Sequence, residues 1–414
     1  MSRYDILKKP NFRLLVLGRF FLTLAFQLQA VVLGWQVYEI KKDPLFLGFI
    51  GLAEAIPALS LALFGGHTVD RGQPLRIYRS MVVLAALSAL ILLGTAGGLL
   101  GVSSEQKIYF IFGVTFASGV IRAFAWPSVF ALTPKLVARE ELPLAQTWMS
   151  ATFQTAAISG PAIGGMLYAW GGPAATYSTI FAMLLIGVTC AFLIRIDRFE
   201  RRIDNQETLA ASLTSGLKFV FSQQVILGAL ALDMFAVLFG GATALLPIFA
   251  SEILMSGPQS LGLLRASPAV GALCMNFFLI HRPLGRSAGK VLFFAVTGFG
   301  ACMIGFGLSK TLWLSVVFLG VSGALDSISV IVRHTALQLA TPDAMRGRVS
   351  AVNMIFIGSS NEIGEFESGL AARLLGTVPS VVFGGCMTFV VVAATAVLAP
   401  KLRKMEFEKP ISRK

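Results

Sequence analysis

Long apolar runs, each about as long as a lipid bilayer is thick, alternate with short polar segments along almost the whole chain. A membrane-spanning helix needs about 20 apolar residues, and on that measure the sequence predicts twelve spans. They cover residues 13–38, 45–65, 76–98, 107–132, 143–169, 174–194, 219–250, 260–280, 290–307, 311–334, 349–375 and 378–399. Because backbone exposed to lipid must satisfy its own hydrogen bonds, the predicted fold class is an all-α membrane protein.

The composition agrees with this pattern, since 56% of the 414 residues are hydrophobic and only 13% are charged. Soluble domains carry about 25% charged residues. The chain starts with a polar segment that leads straight into the first span, so we expect no signal peptide. The four cysteines lie far apart in apolar runs and show no metal-binding spacing. We therefore expect no metal and no cofactor.

Basic residues are distributed unevenly between alternate loops. Of the 34 Lys and Arg residues, 26 fall in the loops, span ends and termini on one predicted side of the membrane, and five on the other. Cytoplasmic loops carry such an excess. Both termini are therefore predicted to be cytoplasmic and the protein to lie in the inner (plasma) membrane. The net charge of +13 is then a topology signal, and we expect no nucleic-acid partner.

A long polar connection begins at Arg195 and divides the twelve predicted spans into two sets of six. It predicts an N-terminal six-helix bundle, a cytoplasmic linker, a C-terminal six-helix bundle and a cytoplasmic tail. These cover residues 1–194, 195–217, 218–400 and 401–414.

An internal repeat relates the two halves. Pro44 and Gly48 open span two, and Pro258 and Gly262 open span eight, 214 residues later. A Thr-Pro pair recurs near the ends of spans four and ten, 208 residues apart. Because six is an even number of spans, the halves run in the same direction. Parallel six-span halves are the layout of the major facilitator superfamily, so the sequence predicts two parallel-repeat six-helix bundles of that fold.

The loop between spans two and three contains Asp70, Arg71 and Arg76, preceded by two glycines. It resembles the signature loop of the major facilitator superfamily. The resemblance implies that Asp70 lies near a helix N-terminus, where the dipole favours an anion, and that the arginines bridge neighbouring helix ends. The alternative is an ordinary basic cytoplasmic loop.

Span five contains Gly160, Pro161, Gly164 and Gly165. They resemble the Gly-Pro-x-x-Gly-Gly motif of the superfamily's antiporters, in which small residues allow close packing and a bend. The resemblance favours export. It implies a role in conformational gating for these residues, together with those of the signature loop. The gate candidates are Asp70, Arg71, Arg76, Gly160, Pro161, Gly164 and Gly165.

Further pieces resemble the enterobactin exporter family and its drug-efflux relatives. They are Phe12-Arg13, Arg19-Phe20, the signature loop, Thr133-Pro134 and residues 341–348. The resemblance implies a secondary active transporter, not an enzyme, that exports a siderophore or amphipathic compound by alternating access. The expected partners are a small-molecule cargo, protons and the lipid bilayer, and the expected functional state is a monomer. A lipid or lysophospholipid flippase of the same fold is the first alternative, a uniporter or importer the next, and a membrane-embedded acyl or glycosyl transferase the alternative from another class.

Charged side chains within membrane spans almost always face the bundle interior or a cavity, and they mark transport sites or structural ion pairs. Both roles stay open for each of them here. The proton-coupling candidates are Glu365, Glu362, Asp326 and Arg122. The substrate-cavity candidates are Gln27, Glu54, Ser118, Trp126, Asp233, Arg265 and Asn361.

Helical spacing groups several of these residues. In span four, Ser118, Arg122 and Trp126 recur every four residues and form one stripe. In span ten, Asp326 shares a stripe with Arg333, which lies near the predicted cytoplasmic end and is expected to snorkel. Asp233 is expected to lock helices together. Arg265 would neutralise either Asp233 or an acid of span eleven.

Three glutamates lie within six residues of span eleven. Helical phase places Glu365 on the same face as Asn361 and Ser368. Glu362 lies at the margin of that face, and Glu367 points away from it. The sequence therefore favours Glu365 as the proton site, with Glu362 second.

Overall fold

A computed structural model describes residues 5–98, 100–195, 209–282, 287–342 and 345–407, and the regular elements in these ranges are all helical. The first half contains α1 (Pro10–Lys41), α2 (Pro44–Arg71), α3 (Pro74–Ala96), α4 (Ser104–Leu136) and α5 (Leu142–Leu193). Next come α6 (Leu209–Ser222), α7 (Gln224–Gly240) and the single turn α8 (Leu246–Ile248), which leads into a π-helical turn, Phe249–Ile253. The chain ends with α9 (Gly257–His281), α10 (Ala288–Leu308), α11 (Leu312–Ala340), α12 (Arg346–Leu375), α13 (Thr377–Leu398) and the single turn α14 (Pro400–Arg403).

Ten helical stretches among the described residues are long and apolar enough to cross a membrane. The all-α membrane class is thereby confirmed. The α5 helix is interrupted at Gly172, which has a left-handed φ of 64° and is followed by Pro173. Only glycine adopts this φ without strain, so the break lies at the boundary predicted between spans five and six. The glutamate-bearing α12 covers predicted span eleven but is not among the ten. The count of twelve therefore stays a prediction.

Predicted span seven, residues 219–250, is not one continuous helix. The extended backbone of Gln223 separates α6 from α7, and α7 ends at the adjacent glycines Gly240 and Gly241. Glycine weakens a helix interior because it loses the most conformational freedom on folding. The α6 helix also begins at Leu209, within the predicted linker.

The chain divides into two compact units. Unit 1 comprises residues 1–42, 52–206 and 256–266, and unit 2 comprises residues 43–51, 207–255 and 267–414. Each unit therefore includes the opening turns of a helix, α9 for unit 1 and α2 for unit 2, whose remainder belongs to the other unit.

In unit 1, α1 lies along α5, and α3 contacts both α4 and α5. Arg79 of α3 holds the C-terminal end of α5. Its guanidinium donates to the backbone carbonyls of Ala191, Phe192 and Ile194 at distances between 2.8 and 3.2 Å. A cation is favourable there because the helix dipole is negative at this end. This contact fixes the end of α5 against α3.

Glycines bring α2 and α4 of unit 1 into close contact. A Cβ at Gly119 of α4 would collide with the backbone carbonyl of Glu54 and the ring of Pro57. A Cβ at Gly65 of α2 would collide with the carbonyl of Ala123. Backbone approach of this kind is typical of membrane helices, where van der Waals packing drives association.

Unit 2 is built around α7 and α10. The α7 helix contacts α12 and α13, and α10 contacts α11 and α13. Their buried apolar side chains include Leu232, Ala236, Leu292, Val296 and Val332. Close contacts involving Gly271 and Gly323 join α9 to α11 in the same way that glycines join α2 to α4.

The two motifs that predicted the repeat make equivalent contacts, one in each unit. In unit 1, Gly262 of α9 lies against Pro161 and Gly165 of α5. In unit 2, Gly48 of α2 lies against Gly369 of α12. Gly369 follows Gly165 by 204 residues. The start of one helix therefore meets a glycine of another in both units.

A second pair of glycines also makes close contacts at equivalent positions of the two units. Gly160 of α5 lies against Gln27 of α1, and Gly364 of α12, 204 residues later, lies against Leu238 of α7. The acid-rich segment of α12 is thus the repeat counterpart of the glycine-proline motif of α5. Glu365 takes the place of Pro161.

The effect of adding one methyl group should have opposite signs at two glycines. Gly262→Ala is expected to destabilise the protein, because the new Cβ would lie 2.6 Å from the carbonyl oxygen of Pro161. Gly66→Ala is the matched control. No atom lies within 4 Å of a Cβ at Gly66. Alanine is favoured over glycine in a helix by up to about 1 kcal/mol, so this variant should be slightly stabilised. Melting temperatures in detergent measure both effects, and equal shifts would contradict the close contact.

Candidate functional site

A charged pair in unit 1 joins α2 to α4. Arg122 Nη1 donates to Glu54 Oε1 at 2.7 Å. The two side chains are 33% and 29% exposed, respectively, so the pair is neither sealed in the protein nor free in solvent. The pair therefore keeps part of its surface exposed although it lies between apolar helices.

Further side chains extend this pair into the α4 cluster, which comprises Gln29, Glu54, Ser118, Arg122, Trp126 and Phe153. The Arg122 guanidinium lies 5.7 Å from the centre of the Trp126 ring, and Phe153 of α5 meets that ring edge-on at 6.2 Å. Ser118 is buried, and its hydroxyl accepts a hydrogen bond from Gln29 Nε2 at 3.3 Å. The stripe on α4 is therefore completed by side chains from α1, α2 and α5.

Two members of the α4 cluster were not among the predicted site residues. Gln29 rather than Gln27 reaches Ser118, while Gln27 is half-buried and lies against Gly160. Phe153 contacts Trp126, and nothing in the sequence distinguishes it from the other phenylalanines of the spans.

A second charged group, in unit 2, comprises Asp233 of α7 with Asp326, Ser329 and Arg333 of α11. We call it the α11 cluster. Arg333 Nη1 forms an ion pair with Asp233 Oδ2, and Ser329 Oγ donates to Asp233 Oδ1 at 3.5 Å. Asp233, Asp326 and Ser329 line a small cavity.

The expectation that Arg333 snorkels is wrong. The predicted span ended at residue 334, whereas α11 continues to Ala340, so Arg333 lies about two turns inside the helix. Arg333 is only 3% exposed, and it forms an ion pair with Asp233. The sequence did contain a signal for a buried polar cluster, because Asp326, Ser329 and Arg333 share a helical face.

The α12 side chains occupy different surroundings. Glu362 is buried and Glu365 is half-buried against Gly51 of α2. Ser368 donates to the carbonyl of Gly241, at the break after α7, at 2.7 Å. Asn361 is exposed and donates to the carbonyl of Ile357 in its own helix. The segment thus combines packing contacts with the two buried or half-buried glutamates.

The remaining predicted residues are distributed over the molecule. Gly160, Pro161, Gly164 and Gly165 line the face of α5 that contacts α1 and the first turns of α9. Arg265 follows Gly262 by three residues on α9, and Arg76 is exposed near the start of α3. The side chains of Asp70 and Arg71 lie outside the described residues.

A polar network near the end of α1 was not predicted. Trp35 Nε1 and the Tyr168 hydroxyl both donate to the Glu39 carboxylate at 2.6 Å, and the Tyr177 hydroxyl donates to Gln36 at 2.6 Å. The four-residue spacing of Trp35 and Glu39 is a weak sequence signal for it.

Comparison with known proteins identifies the family of the chain. The model of a family described as transmembrane secretion effector, of the major facilitator superfamily, matches residues 1–414. The chain belongs to this family. Transmembrane secretion effectors of this superfamily are integral membrane transporters of small molecules, and transporters are in general not enzymes.

Curated relatives of this transporter include enterobactin exporters. The protein from Citrobacter koseri is 27% identical over 410 residues, which cover 97% of this chain and 95% of that protein. The protein from an Escherichia coli strain is 27% identical over 351 residues, which cover 83% of this chain and 80% of that one.

Solved structures share the fold of this transporter at low identity. A bacterial homologue of the human lysosomal transporter Spinster superposes with a TM-score of 0.74 and 12% identity, over 97% of this chain and 100% of that one. A bacterial homologue of the iron transporter ferroportin gives a TM-score of 0.69 and 20% identity, over 95% and 98% of the two chains. These structures confirm the major facilitator fold.

Proposed function

We propose that this transporter is a proton-coupled exporter of an amphipathic small molecule, a siderophore or a drug-like compound, that works by alternating access. It would act in the inner (plasma) membrane with both termini cytoplasmic. The enterobactin exporters support export as the direction and a siderophore as one cargo class. The basic loops predicted on one side support the orientation.

The Glu54–Arg122 pair is the observation that carries the proposal. Two opposite charges 2.7 Å apart satisfy each other, and separating them would leave a carboxylate in a largely apolar surrounding. There the neutral, protonated form is the less costly one. A cargo that draws Arg122 away from Glu54 would therefore be linked to proton binding. Asp326, Glu362 and Glu365 are further proton-coupling candidates in unit 2.

The aromatic side of the α4 cluster suits an amphipathic cargo. Trp126 is 44% exposed. The Arg122 guanidinium lies over its ring, and Phe153 packs against that ring in a T-shaped arrangement. Aromatic faces supply apolar contact area, and the guanidinium attracts an acidic or electron-rich group. A flat compound with one polar edge matches these contacts.

Purified protein in liposomes provides the test. An imposed pH gradient should drive movement of a catecholate siderophore or an amphipathic dye against its concentration gradient, reported together with an internal pH indicator. Abolishing the gradient should stop both. Transport that ignores the pH gradient would contradict proton coupling. Movement of a fluorescent lysophospholipid, but of neither soluble cargo, would favour the flippase alternative.

A further inference from the structure

The α11 cluster combines features that the proposed export cycle does not yet use. Asp326, Ser329 and Arg333 are spaced by three and four residues, so they lie on one face of α11. Helical side chains lean toward the helix N-terminus, and Arg333 therefore leans toward Ser329 and Asp326. Asp233 of α7 faces the same cavity. Asp326 lies two turns before Arg333 on this face, and it shares the cavity with Asp233, the partner of Arg333.

The charges in this cluster do not balance. Arg333 forms its ion pair with Asp233. Asp326 lines the same cavity but makes no hydrogen bond or ion pair with the residues that the structure describes. Asp326 is half-buried, and a carboxylate in a largely apolar cavity is costly unless it is compensated. The cluster of two carboxylates and one guanidinium therefore favours one bound cation.

The lining of the cavity selects a proton over a metal ion. Beyond Asp233, Asp326 and Ser329, it consists of apolar side chains, namely Ala236, Val237, Ala295, Val296, Phe299 and Leu325. A hard metal ion takes about six or more oxygen ligands, which these three polar residues do not supply. A proton needs only one carboxylate oxygen.

Arg333 also has one hydrogen-bond donor that the described residues do not use. Its Nε is buried and has no hydrogen-bond partner among the described residues, and its side chain is only 4% exposed. Buried polar groups are nearly always hydrogen-bonded, so this Nε is available to a further acceptor. Asp326 lies on the same helical face.

We propose that Asp326 is a proton site whose occupancy decides which carboxylate Arg333 binds. With a proton on Asp326, Arg333 pairs with Asp233, as observed, and ties α7 to α11. When the proton leaves to water, the Asp326 carboxylate attracts the guanidinium, Asp233 loses its partner and α7 is released. Ser329, between the two partners, positions the exchange. The proposal rests on proton-coupled export and names where the proton would act in unit 2.

Few other charges accompany this cluster. Asp233 is the charged residue of α7, and Lys290, in the first turn of α10, does not line the cavity. The α9 helix, which contacts α11 at Pro268 and Gly271, carries Arg265 three residues before Pro268. His334 follows Arg333 on α11 and is exposed. The α12 helix packs against α7 at Val237 and Leu238 and carries the buried Glu362. Arg265, His334 and Glu362 are therefore the groups that an experiment must control for.

Hydrogen exchange of the full-length protein in detergent, without cargo, tests the exchange of partners. Peptides from α7 are followed over a series of pH values and normalised to α3 of unit 1, which removes the intrinsic effect of pH on exchange. As the pH rises through the titration of Asp326, exchange in α7 should accelerate about tenfold relative to α3, within the range of coupling in charged networks. No relative change in α7 would overturn the proposal.

Variants assign the transition to Asp326. In Asp326→Asn, α7 should stay protected at every pH, and in Asp233→Asn it should exchange fast at every pH. Arg265→Gln, His334→Gln, Glu362→Gln and the exposed Glu105→Gln should keep the wild-type transition. A wild-type transition in Asp326→Asn, or its loss in Arg265→Gln, His334→Gln or Glu362→Gln, would overturn the proposal. If Asp326→Asn does not fold, Asp326→Glu decides, because its transition must move to a different pH.

This experiment separates the two proposals. It needs neither a gradient nor a cargo, so an α7 transition in a protein whose transport ignores the pH gradient would count against proton-coupled export alone. Transport driven by the gradient, with no transition in α7, would count against the exchange of partners alone.

Discussion

Transport driven by a pH gradient is expected to fall at least about tenfold in the Arg122→Gln protein, which corresponds to about 1.4 kcal/mol at the limiting step. The change leaves Glu54 without the guanidinium that it binds at 2.7 Å, and it removes the cation from the face of Trp126. Glu54→Gln should lose coupling as well, because the carboxylate that would bind the proton is gone. Transport in liposomes with and without the gradient measures both effects.

The matched control removes an arginine from another ion pair. Arg373 lies 3.6 Å from Asp43 and is 53% exposed, so Arg373→Gln changes the net charge equally without touching the α4 cluster. Its transport should equal that of the wild type. Full coupling in Arg122→Gln, or an equal loss in Arg373→Gln, would contradict the role given to the Glu54–Arg122 pair.

The largest loss of stability is expected for Arg333→Met. The substitution leaves Asp233 as an uncompensated charge whose side chain is 9% exposed. Removing one partner of a buried pair costs about 3–5 kcal/mol, whereas removing both costs far less. The double variant Asp233→Asn, Arg333→Met should therefore recover most of the melting temperature that the single variant loses. Thermal unfolding in detergent measures these shifts.

An ion pair at the surface serves as the control for the effect of burial. Lys41 lies 3.2 Å from Glu105, whose side chain is 81% exposed. Because solvent screens such pairs, Lys41→Met should cost less than about 1 kcal/mol. Equal melting temperatures for Lys41→Met and Arg333→Met would show that burial of the Asp233–Arg333 pair does not matter for stability.

Features that depend on the period of one helix could be predicted from the sequence. Apolar runs of bilayer length located the helices, and the four-residue spacing of Ser118, Arg122 and Trp126 identified the stripe that α1, α2 and α5 complete. These two inferences need only the geometry of a single helix. Gly160 and Gly165 were singled out by their resemblance to the Gly-Pro-x-x-Gly-Gly motif of the superfamily's antiporters.

Partners on other helices could not be predicted in the same way. Asp233 binds Arg333 rather than Arg265, and Ser118 binds Gln29 rather than Gln27. Which residues of two helices meet depends on how each helix is rotated about its axis and shifted along it. An error of a few residues in a predicted helix end changes the expected rotation and the expected shift. The snorkelling expected of Arg333 failed because α11 extends six residues beyond the predicted end. The break between α6 and α7 falls at the polar residues Ser222, Gln223 and Gln224, which the predicted span 219–250 included as part of one helix.

The correspondence between Pro161 and Glu365 gives equivalent positions of α5 and α12 different physical properties. Pro161 has no backbone N–H, so α5 lacks one internal hydrogen bond there and bends at low cost. The α12 helix keeps that bond and places a carboxylate on the same turn. The two units therefore carry different chemistry at equivalent positions, a missing backbone hydrogen bond in α5 and a carboxylate in α12, while the flanking glycines make close contacts in both.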